Sequence, residues 1–470
     1  MLPTAAADAD GALALGGPFT YAAKTIELWM TPSGLEVKGI DMDERVTWHD
    51  VLGASATSST LTIHKCLRQK KFVRHLVNMQ IQGTDETKVE TFARAIRYMA
   101  RMHTSHVASL PSIDDMAAQS PPPRTCLVLI NPIGGTGQAV HIYETKVAAI
   151  FKAANICATT KLTEREAHAT DVAESLDLAA FDFVVCVGGD GLANEVVQGL
   201  MKRKDWHEAI QKPLAMIPGG SGNGLAMSLL HGAGETYCPE NSAFLIAKGR
   251  SQPMDLATTR NATSSSYSFL ALSWAFMADV DLQSEGYRFL GSARFTMAAI
   301  AKLLSRKQWR GRLSYVPTSA DNAPPPYWDL ESQPSVAPVV TLLPSTFAPV
   351  SDKWTTIEGD FSLFWATSVS HTASDVYLAP GAHVSDGYMH LILVRGVVSM
   401  LTMFNVLLEF ETGALVRNPN VEIIKTRAYQ LQVDDDAFFS LDGERFAGPT
   451  VQVEVHRGMG RIMTLPIGQI

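Results

Sequence analysis

The run Phe181-Asp-Phe-Val-Val-Cys-Val-Gly-Gly-Asp-Gly-Leu-Ala-Asn-Glu-Val-Val-Gln-Gly199 decides how this chain is read. Phe183 to Val187 are apolar without alternation, the pattern of a strand buried on both faces of a parallel sheet. The strand stops on Gly188-Gly189-Asp190-Gly191. Glycines let a ligand approach backbone N–H groups closely, and the aspartate among them places a carboxylate at the carboxyl edge of the sheet. Leu192, Val196 and Leu200 then recur at helical spacing, so the loop opens onto a helix N-terminus, which favours anions. Taken alone, Gly-Gly-Asp-Gly is equally a tight strand-to-helix turn.

Two further loops of the same kind tilt the reading. Cys126 to Ile130 is a continuous apolar strand followed by Asn131-Pro132-Ile133-Gly134-Gly135-Thr136-Gly137. Leu214 to Ile217 is a third, followed by Pro218-Gly219-Gly220-Ser221-Gly222-Asn223-Gly224. In a doubly wound sheet three such strand ends lie on one edge, making a polyphosphate cradle of backbone. Neither Gly-x-x-x-x-Gly-Lys-Ser/Thr nor a Gly-x-Gly-x-x-Gly after a strand occurs, so an ordinary P-loop or dinucleotide fold is unsupported.

Together, Asn131-Pro-x-Gly-Gly, Gly189-Asp-Gly-Leu and Pro218-Gly-Gly-Ser-Gly-Asn resemble the catalytic domain of lipid kinases of the diacylglycerol kinase and sphingosine kinase superfamily. The segment from Ser273 through Asp279, Asp281, Glu285, Arg288 and Arg294 to Phe295 is similar to the sphingosine-recognition segment of the sphingosine (long-chain base) kinases. So is Asp205-Trp-His-Glu-Ala-Ile-Gln-Lys-Pro-Leu, and in looser form the likeness runs from about Cys126 to His456. The resemblance implies an α/β nucleotide lobe with glycine-rich loops, then a β-rich, antiparallel sandwich-like lobe for the lipid. It also implies ATP as phosphoryl donor, Mg²⁺, and a sphingoid base as acceptor.

It further implies site residues. Asp190 would accept the proton of the acceptor alcohol. ATP would meet Asn131, Pro132, Ile133, Gly134 and Gly135; Thr163, Glu164, Arg165, Glu166 and Ala167; Gly188, Gly189, Gly191 and Glu195; and Gly220, Ser221, Gly222 and Asn223. Arg288 and Arg294 would bind phosphate. The late turn Asp442-Gly443-Glu444, alone an ordinary β-turn, would return to the nucleotide, with Asp442 and Glu444 as candidates for Mg²⁺ or its waters. Asp281 would pair with the ammonium of a long-chain base, with Phe276, Met277, Val280 and His371 beside it; a carboxylate there distinguishes a charged base from a neutral glycerolipid. The first loop departs from the animal sphingosine kinases: Ile133, Thr136 and Gln138 stand where those carry basic residues, so phosphate charge falls to backbone N–H groups, Arg165, Arg288, Arg294 and Mg²⁺. The second loop opens on Gly188 where they have serine.

Composition bounds the rest. With 470 residues, 46% hydrophobic and 18% charged, the chain should form two or three domains. A net charge of −8 argues against nucleic acid as partner. Five scattered cysteines give neither a disulfide framework nor metal-ligand spacing, as in a reducing compartment. No stretch reaches about 18 uninterrupted apolar residues, and Asp8 and Asp10 spoil a secretory signal. The expectation is a cytoplasmic, peripherally membrane-associated protein; its oligomeric state is not legible.

The expected organisation is an unstructured segment over 1–18, a PH-like barrel over 19–107, a Pro-rich linker over 108–124, the nucleotide lobe over 125–250 and the lipid lobe over 251–470, with a flexible insertion at about 318–352. In the barrel, short alternating strands precede one helix with Val89, Phe92, Ile96 and Met99 on one face. Its basic group Lys65, Arg68, Lys70, Lys71 and Arg74 is a solvated face or a lipid-headgroup site. Thr163 with Glu166 reads as a capping box, and His168 as a structural partner. Phe295 to Leu304, followed by Arg306 and Lys307, reads as a membrane-touching helix or a core helix. Ceramide kinase, diacylglycerol kinase and a non-catalytic lipid sensor are the alternatives in function.

Overall fold

The computed structural model describes residues 4–7, 13–22, 24–40, 42–102, 110–278, 309–318, 323–330, 337–344, 349–434 and 438–466. Val280, Asp281, Arg288, Arg294 and the 295–307 segment lie outside the described residues. The chain separates into two compact units: residues 1–126, 141–159 and 238–250, and residues 127–140, 160–237 and 251–470.

The first unit is built on an antiparallel sheet of β1 (Thr4–Ala7), β2 (Leu13–Tyr21), β3 (Lys24–Met30), β4 (Gly34–Gly39), β5 (Met42–Thr47), β6 (Val51–Thr57), β7 (Thr60–Arg68) and β8 (Arg74–Gln82). The order is β5-β4-β3-β2-β8-β7-β6, with β1 on β2. β2 and β8 meet only at Thr20 and Gln82, a corner between two halves of the sheet. Helix α1 (Glu86–Met102) closes it with Val89, Phe92, Ile96 and Met99 buried, as its 3.6-residue period requires.

Three expectations are corrected here. The segment read as unstructured contains β1 and most of β2. Its glycines answer a steric demand: a Cβ on Gly16 would lie 2.2 Å from the Leu28 carbonyl oxygen and 2.9 Å from the Trp29 ring. The linker carries helix α2 (Ile113–Ala118), N-capped by Ser112, and its Ile113 and Met116 join the same core as α1. Nor do Lys65 and Arg74 face lipid. Both are buried; Lys65 pairs with Glu44 at 2.5 Å, and Arg74 pairs with Asp50 at 2.7 Å and lies over the Phe244 ring.

Phe244 belongs to α9 (Pro239–Lys248), which joins this unit and comes after α3 (Ala139–Ile142), α4 (Ala148–Ala153), α5 (His168–Glu174), α6 (Asp190–Met201), α7 (Trp206–Ala209) and α8 (Gly224–Gly232) in the chain. Lys248 at its end is buried and donates to the carbonyls of Trp48 and Val51, at 2.8 and 2.9 Å, and of Ala100. Burial pushes its ammonium down to about 7.

The strands of the second unit form one large sheet and a separate two-stranded ribbon, His371–Ala373 with Val376–Tyr377. The α/β part of the large sheet uses β9 (Arg124–Ile130, in this unit from Leu127), β10 (Ile156–Leu162, in this unit from Thr160), β11 (Phe183–Gly188) and β12 (Leu214–Pro218) in the order β10-β9-β11-β12. β11 and β12 are parallel over five pairs from Val184↔Leu214 to Gly188↔Pro218, and every residue of β11 is buried, as the unbroken apolar run demands. The remaining strands are β13 (Arg250–Arg260), β14 (Ser265–Ser268), β15 (Ala271–Ala275), β16 (Trp309–Tyr315), β17 (Thr355–Thr367), β18 (His371–Ala373), β19 (Val376–Tyr377), β20 (Met389–Arg395), β21 (Glu422–Thr426), β22 (Ala428–Val433), β23 (Phe438–Leu441), β24 (Glu444–Ala447) and β25 (Thr450–Thr464). β25 runs parallel to β12 at Leu214↔Ile462 and antiparallel to β22, so it splices the α/β strands onto the antiparallel region. Trp274, Phe361, Phe364, Tyr429 and Phe439 fill that region's core.

The insertion at 318–352 is less free than expected. Among its described residues Tyr327 is buried, Trp328 stacks on Trp206, and the N–H groups of Thr341, Leu342 and Leu343 donate to Glu454 at 2.9 to 3.1 Å. Among the described residues no helix is long and apolar enough to cross a membrane.

Candidate active site

The three glycine loops touch one another. A Cβ on Gly135 of the first would lie 2.7 Å from the carbonyl carbon of Gly220 in the third. A Cβ on Gly220 would lie 2.4 Å from the Cα of Gly189 in the second. No side chain fits at those crossings, so the spacing of the glycines is a packing requirement of the bundle of loops. The first loop is shaped by Asn131, whose Oδ1 accepts the N–H groups of Ile133 and Gly134 at 3.1 and 2.9 Å. The third is shaped by buried Asn223, which accepts the Gly220 N–H at 3.2 Å and donates to the Gly220 carbonyl at 2.8 Å. Ile133 is 80% exposed, and Gly135 and Gly191 are also at the surface.

Asp190 is the first residue of α6 (Asp190–Met201) and only 5% exposed. Its carboxylate accepts two N–H groups from the start of α8 (Gly224–Gly232): Gly224 to Oδ2 at 2.7 Å and Leu225 to Oδ1 at 3.1 Å. Burial pushes its pKa up to about 6 against the pull of those two donors. Tyr237 lies within its electrostatic reach; burial raises the phenol, whose hydroxyl bonds the side chains of Asn223 and Ser374.

A second buried acid belongs to the same cluster. Asp442, in a left-handed turn at φ 49°, accepts the Ala271 N–H on Oδ1 at 2.9 Å. Its Oδ2 accepts Asn194 Nδ2 at 2.8 Å, with Asn194 on α6 one turn after Asp190. Burial pushes Asp442 up to about 7, and the charge of Asp190 adds to the rise. Gly443 and Glu444 beside it are exposed.

The remaining residues are placed as follows. Thr163 is buried, and its N–H donates to the Ile130 carbonyl at 2.9 Å. The capping box is corrected: α5 (His168–Glu174) starts after Ala167, which is left-handed at φ 57°, and Thr163 is spent on Ile130. Glu164, Arg165, Glu166 and Ala167 are exposed; Arg165 pairs with Asp171, and the Glu164 N–H donates to His168 Nδ1 at 3.0 Å. Glu195 accepts the Ala169 N–H at 3.0 Å, and burial raises its pKa. His371 is buried, stacked on Tyr377 at 4.3 Å and close to His231 at 4.9 Å; burial, then His231, pushes it down to about 4. Phe276 is buried against Met277, Trp309 and Leu407. Sequence reasoning missed Asn194 and Tyr237 here. Helical spacing from Asp190 was the one available signal, and it pointed to Asn194.

Residues 125–259 match the diacylglycerol kinase catalytic domain, and residues 345–464 match the YegS C-terminal NAD kinase beta sandwich-like domain. The chain is 38% identical to human sphingosine kinase 1 over 346 residues, covering 71% of this chain and 90% of that protein. The chain belongs to the sphingosine kinase family. Within that family it is also 30% identical to the sphingoid long chain base kinase 4 of Schizosaccharomyces pombe over 330 residues, 69% of this chain and 71% of that one. The crystal structure of a putative diacylglycerol kinase from Bacillus anthracis shares the fold, with a TM-score of 0.52 at 17% identity over 73% of this chain and 95% of that one. The family resemblance carried by the three glycine loops therefore holds, as do the diacylglycerol-kinase-type fold, the β-sandwich C-terminal region and the N-terminal antiparallel sheet.

Proposed function

We infer that this sphingosine kinase family member transfers the γ-phosphoryl group of ATP to the primary hydroxyl of a sphingoid base. The observation that carries this is a buried acid, Asp190, at the junction of three glycine loops. With its pKa raised to about 6, Asp190 is ionised at neutral pH yet basic enough to take the alcohol's proton. Aligning two substrates and offsetting phosphoryl charge is the rest of the task.

ATP lies along the rim formed by Asn131 to Gly135, Thr163 to Ala167, Gly188 to Gly191 with Glu195, and Gly220 to Asn223, its phosphates met by backbone N–H groups. Among the described residues no group of three or more His, Cys, Asp or Glu is arranged around a metal. Hard oxygen donors still suit Mg²⁺: Asp442 and Glu444 would hold it together with ATP's own oxygens, and it would offset phosphate charge. Asp281 takes the ammonium of the base, with Phe276, Met277, Val280 and His371 beside it, and Arg288 and Arg294 take phosphate. These roles rest on family resemblance.

The N-terminal sheet is PH-like, a reading supported by the corner at Thr20 and Gln82 and the closing helix α1. The protein works as a peripheral, cytoplasmic membrane visitor. Support comes from the helix Met400–Glu409, where Leu401, Phe404 and Leu408 are exposed at helical spacing while Met403 and Val406 are buried.

Radiolabelled-ATP turnover with sphingosine, ceramide and diacylglycerol side by side tests the function. Preferential labelling of sphingosine is expected. Labelling of ceramide or diacylglycerol instead would reassign the substrate, and labelling of none would make the chain a non-catalytic lipid sensor.

A further inference from the structure

Strand β18 meets α8 at that helix's first residue. A Cβ on Gly224 would lie 2.6 Å from the His371 carbonyl oxygen and 2.7 Å from that of Thr372. The Gly224 N–H is itself 2.7 Å from Asp190 Oδ2, so the backbone of Thr372 packs on the same residue that binds the acid. Polar side chains around it are engaged. Ser228 donates to the Gly224 carbonyl at 2.8 Å and accepts the His371 N–H at 3.0 Å. His371 Nδ1 bonds Ser370 at 2.9 Å, and Tyr237 bonds Asn223 and Ser374.

Thr372 differs. The residue is 8% exposed, and its Oγ1 is buried with no hydrogen-bond partner among the described residues. A buried hydroxyl without a partner costs free energy that a valine of the same shape would avoid. Bound to a ligand hydroxyl, the same group both donates and accepts, and that cost is offset.

We propose that Thr372 is a specificity-determining residue: its hydroxyl bonds a secondary hydroxyl of the sphingoid head while the primary hydroxyl meets Asp190. This rests on the sphingoid-base reading above and deepens it. The ligand class is an amino alcohol with free secondary hydroxyls, at C3 in all such bases and additionally at C4 in the 4-hydroxylated ones. A site that pairs with a substrate hydroxyl rejects analogues lacking it far better than an apolar wall does.

The test compares the full-length protein with Thr372→Val and Thr372→Ser, measuring kcat/KM for sphinganine and 4-hydroxysphinganine, with thermal unfolding as the check on folding. Removing the hydroxyl should lower kcat/KM about tenfold for a base that uses it, the worth of one neutral hydrogen bond, and Thr372→Ser should retain most of the activity. A loss confined to 4-hydroxysphinganine assigns the contact to the C4 hydroxyl; an equal loss on both bases, rescued by serine, assigns it to C3. Thr372→Val within twofold of wild type on both bases overturns the proposal. A wild-type protein that phosphorylates neither base overturns instead the sphingoid-base reading beneath it. Should Thr372→Val fail to fold, Thr372→Ala is read in the same way.

Discussion

Asn194 donates its side-chain amide to Asp442 across 2.8 Å, from one turn beyond Asp190 on the same helix. Two acids 252 positions apart in the chain (442 minus 190) are thereby coupled through one short piece of α6. The site is a cluster of buried carboxylates held ionisable by backbone donors, and most of what can be tested follows from that.

Asp190→Asn keeps the volume and removes the base. Its kcat should fall about 10²- to 10⁴-fold, with the KM for ATP within threefold of wild type; thermal unfolding checks that the fold is kept, since the amide accepts only one of the two N–H groups of Gly224 and Leu225. A kcat within tenfold of wild type would dismiss Asp190 as the proton acceptor.

The pH dependence has a definite sign. Asp190 acts ionised, so kcat/KM should fall below about pH 6 as it protonates. For stability, a carboxyl raised in the folded state contributes stability that is present below its ordinary pKa and is lost as pH rises through the folded value. Asp442, pushed up to about 7, therefore weakens the fold between roughly pH 4 and 7. Asp442→Asn removes that term, so its Tm relative to wild type should be more favourable at pH 8 than at pH 5. A difference that is flat or reversed with pH would refute the assignment.

The glycines should separate cleanly. Gly220→Ala forces a Cβ to 2.4 Å from the Cα of Gly189, so loops must move; a loss of about 1–3 kcal/mol and a raised KM for ATP are expected. At Gly191 an added Cβ meets nothing within 4 Å, and the site is helical. Gly191→Ala should be as stable as wild type or up to about 1 kcal/mol more so. Chemical denaturation and initial rates compare the pair.

Leu401→Ser with Phe404→Ser removes two exposed apolar groups from the helix Met400–Glu409 while leaving its buried Met403 and Val406. Co-sedimentation with vesicles containing anionic lipid should drop several-fold, with turnover on detergent-dispersed sphingosine unchanged. Equal co-sedimentation would remove this face from any account of membrane contact.

What was legible in the chain was local. Continuous apolar strands ending on glycine loops announce buried parallel strands and a backbone cradle, because both signals lie within twenty residues of one another. The partners of Asp442 were not legible, since Asn194 and Ala271 reach it from sequence separations of 248 and 171. Thr372 and Tyr237 carry no pattern at all; only folding brings them to α8. At the N-terminus the small residues over 1–18 read as unstructured, when Gly16 is demanded by the close approach of Leu28 and Trp29. Likewise Lys65 and Arg74 counted as surface charge until their carboxylate partners, Glu44 on β5 and Asp50 in the turn before β6, were known.

Lys248 ends the last helix before the sandwich strands, yet the carbonyls that hold its ammonium come from Trp48, Val51 and Ala100. A version trimmed to start at residue 125 would keep every glycine loop and both acids but strand a cation in greasy surroundings, beside a Phe244 ring stripped of its Arg74 cover. Expression work aimed at a minimal kinase should therefore carry the N-terminal sheet along.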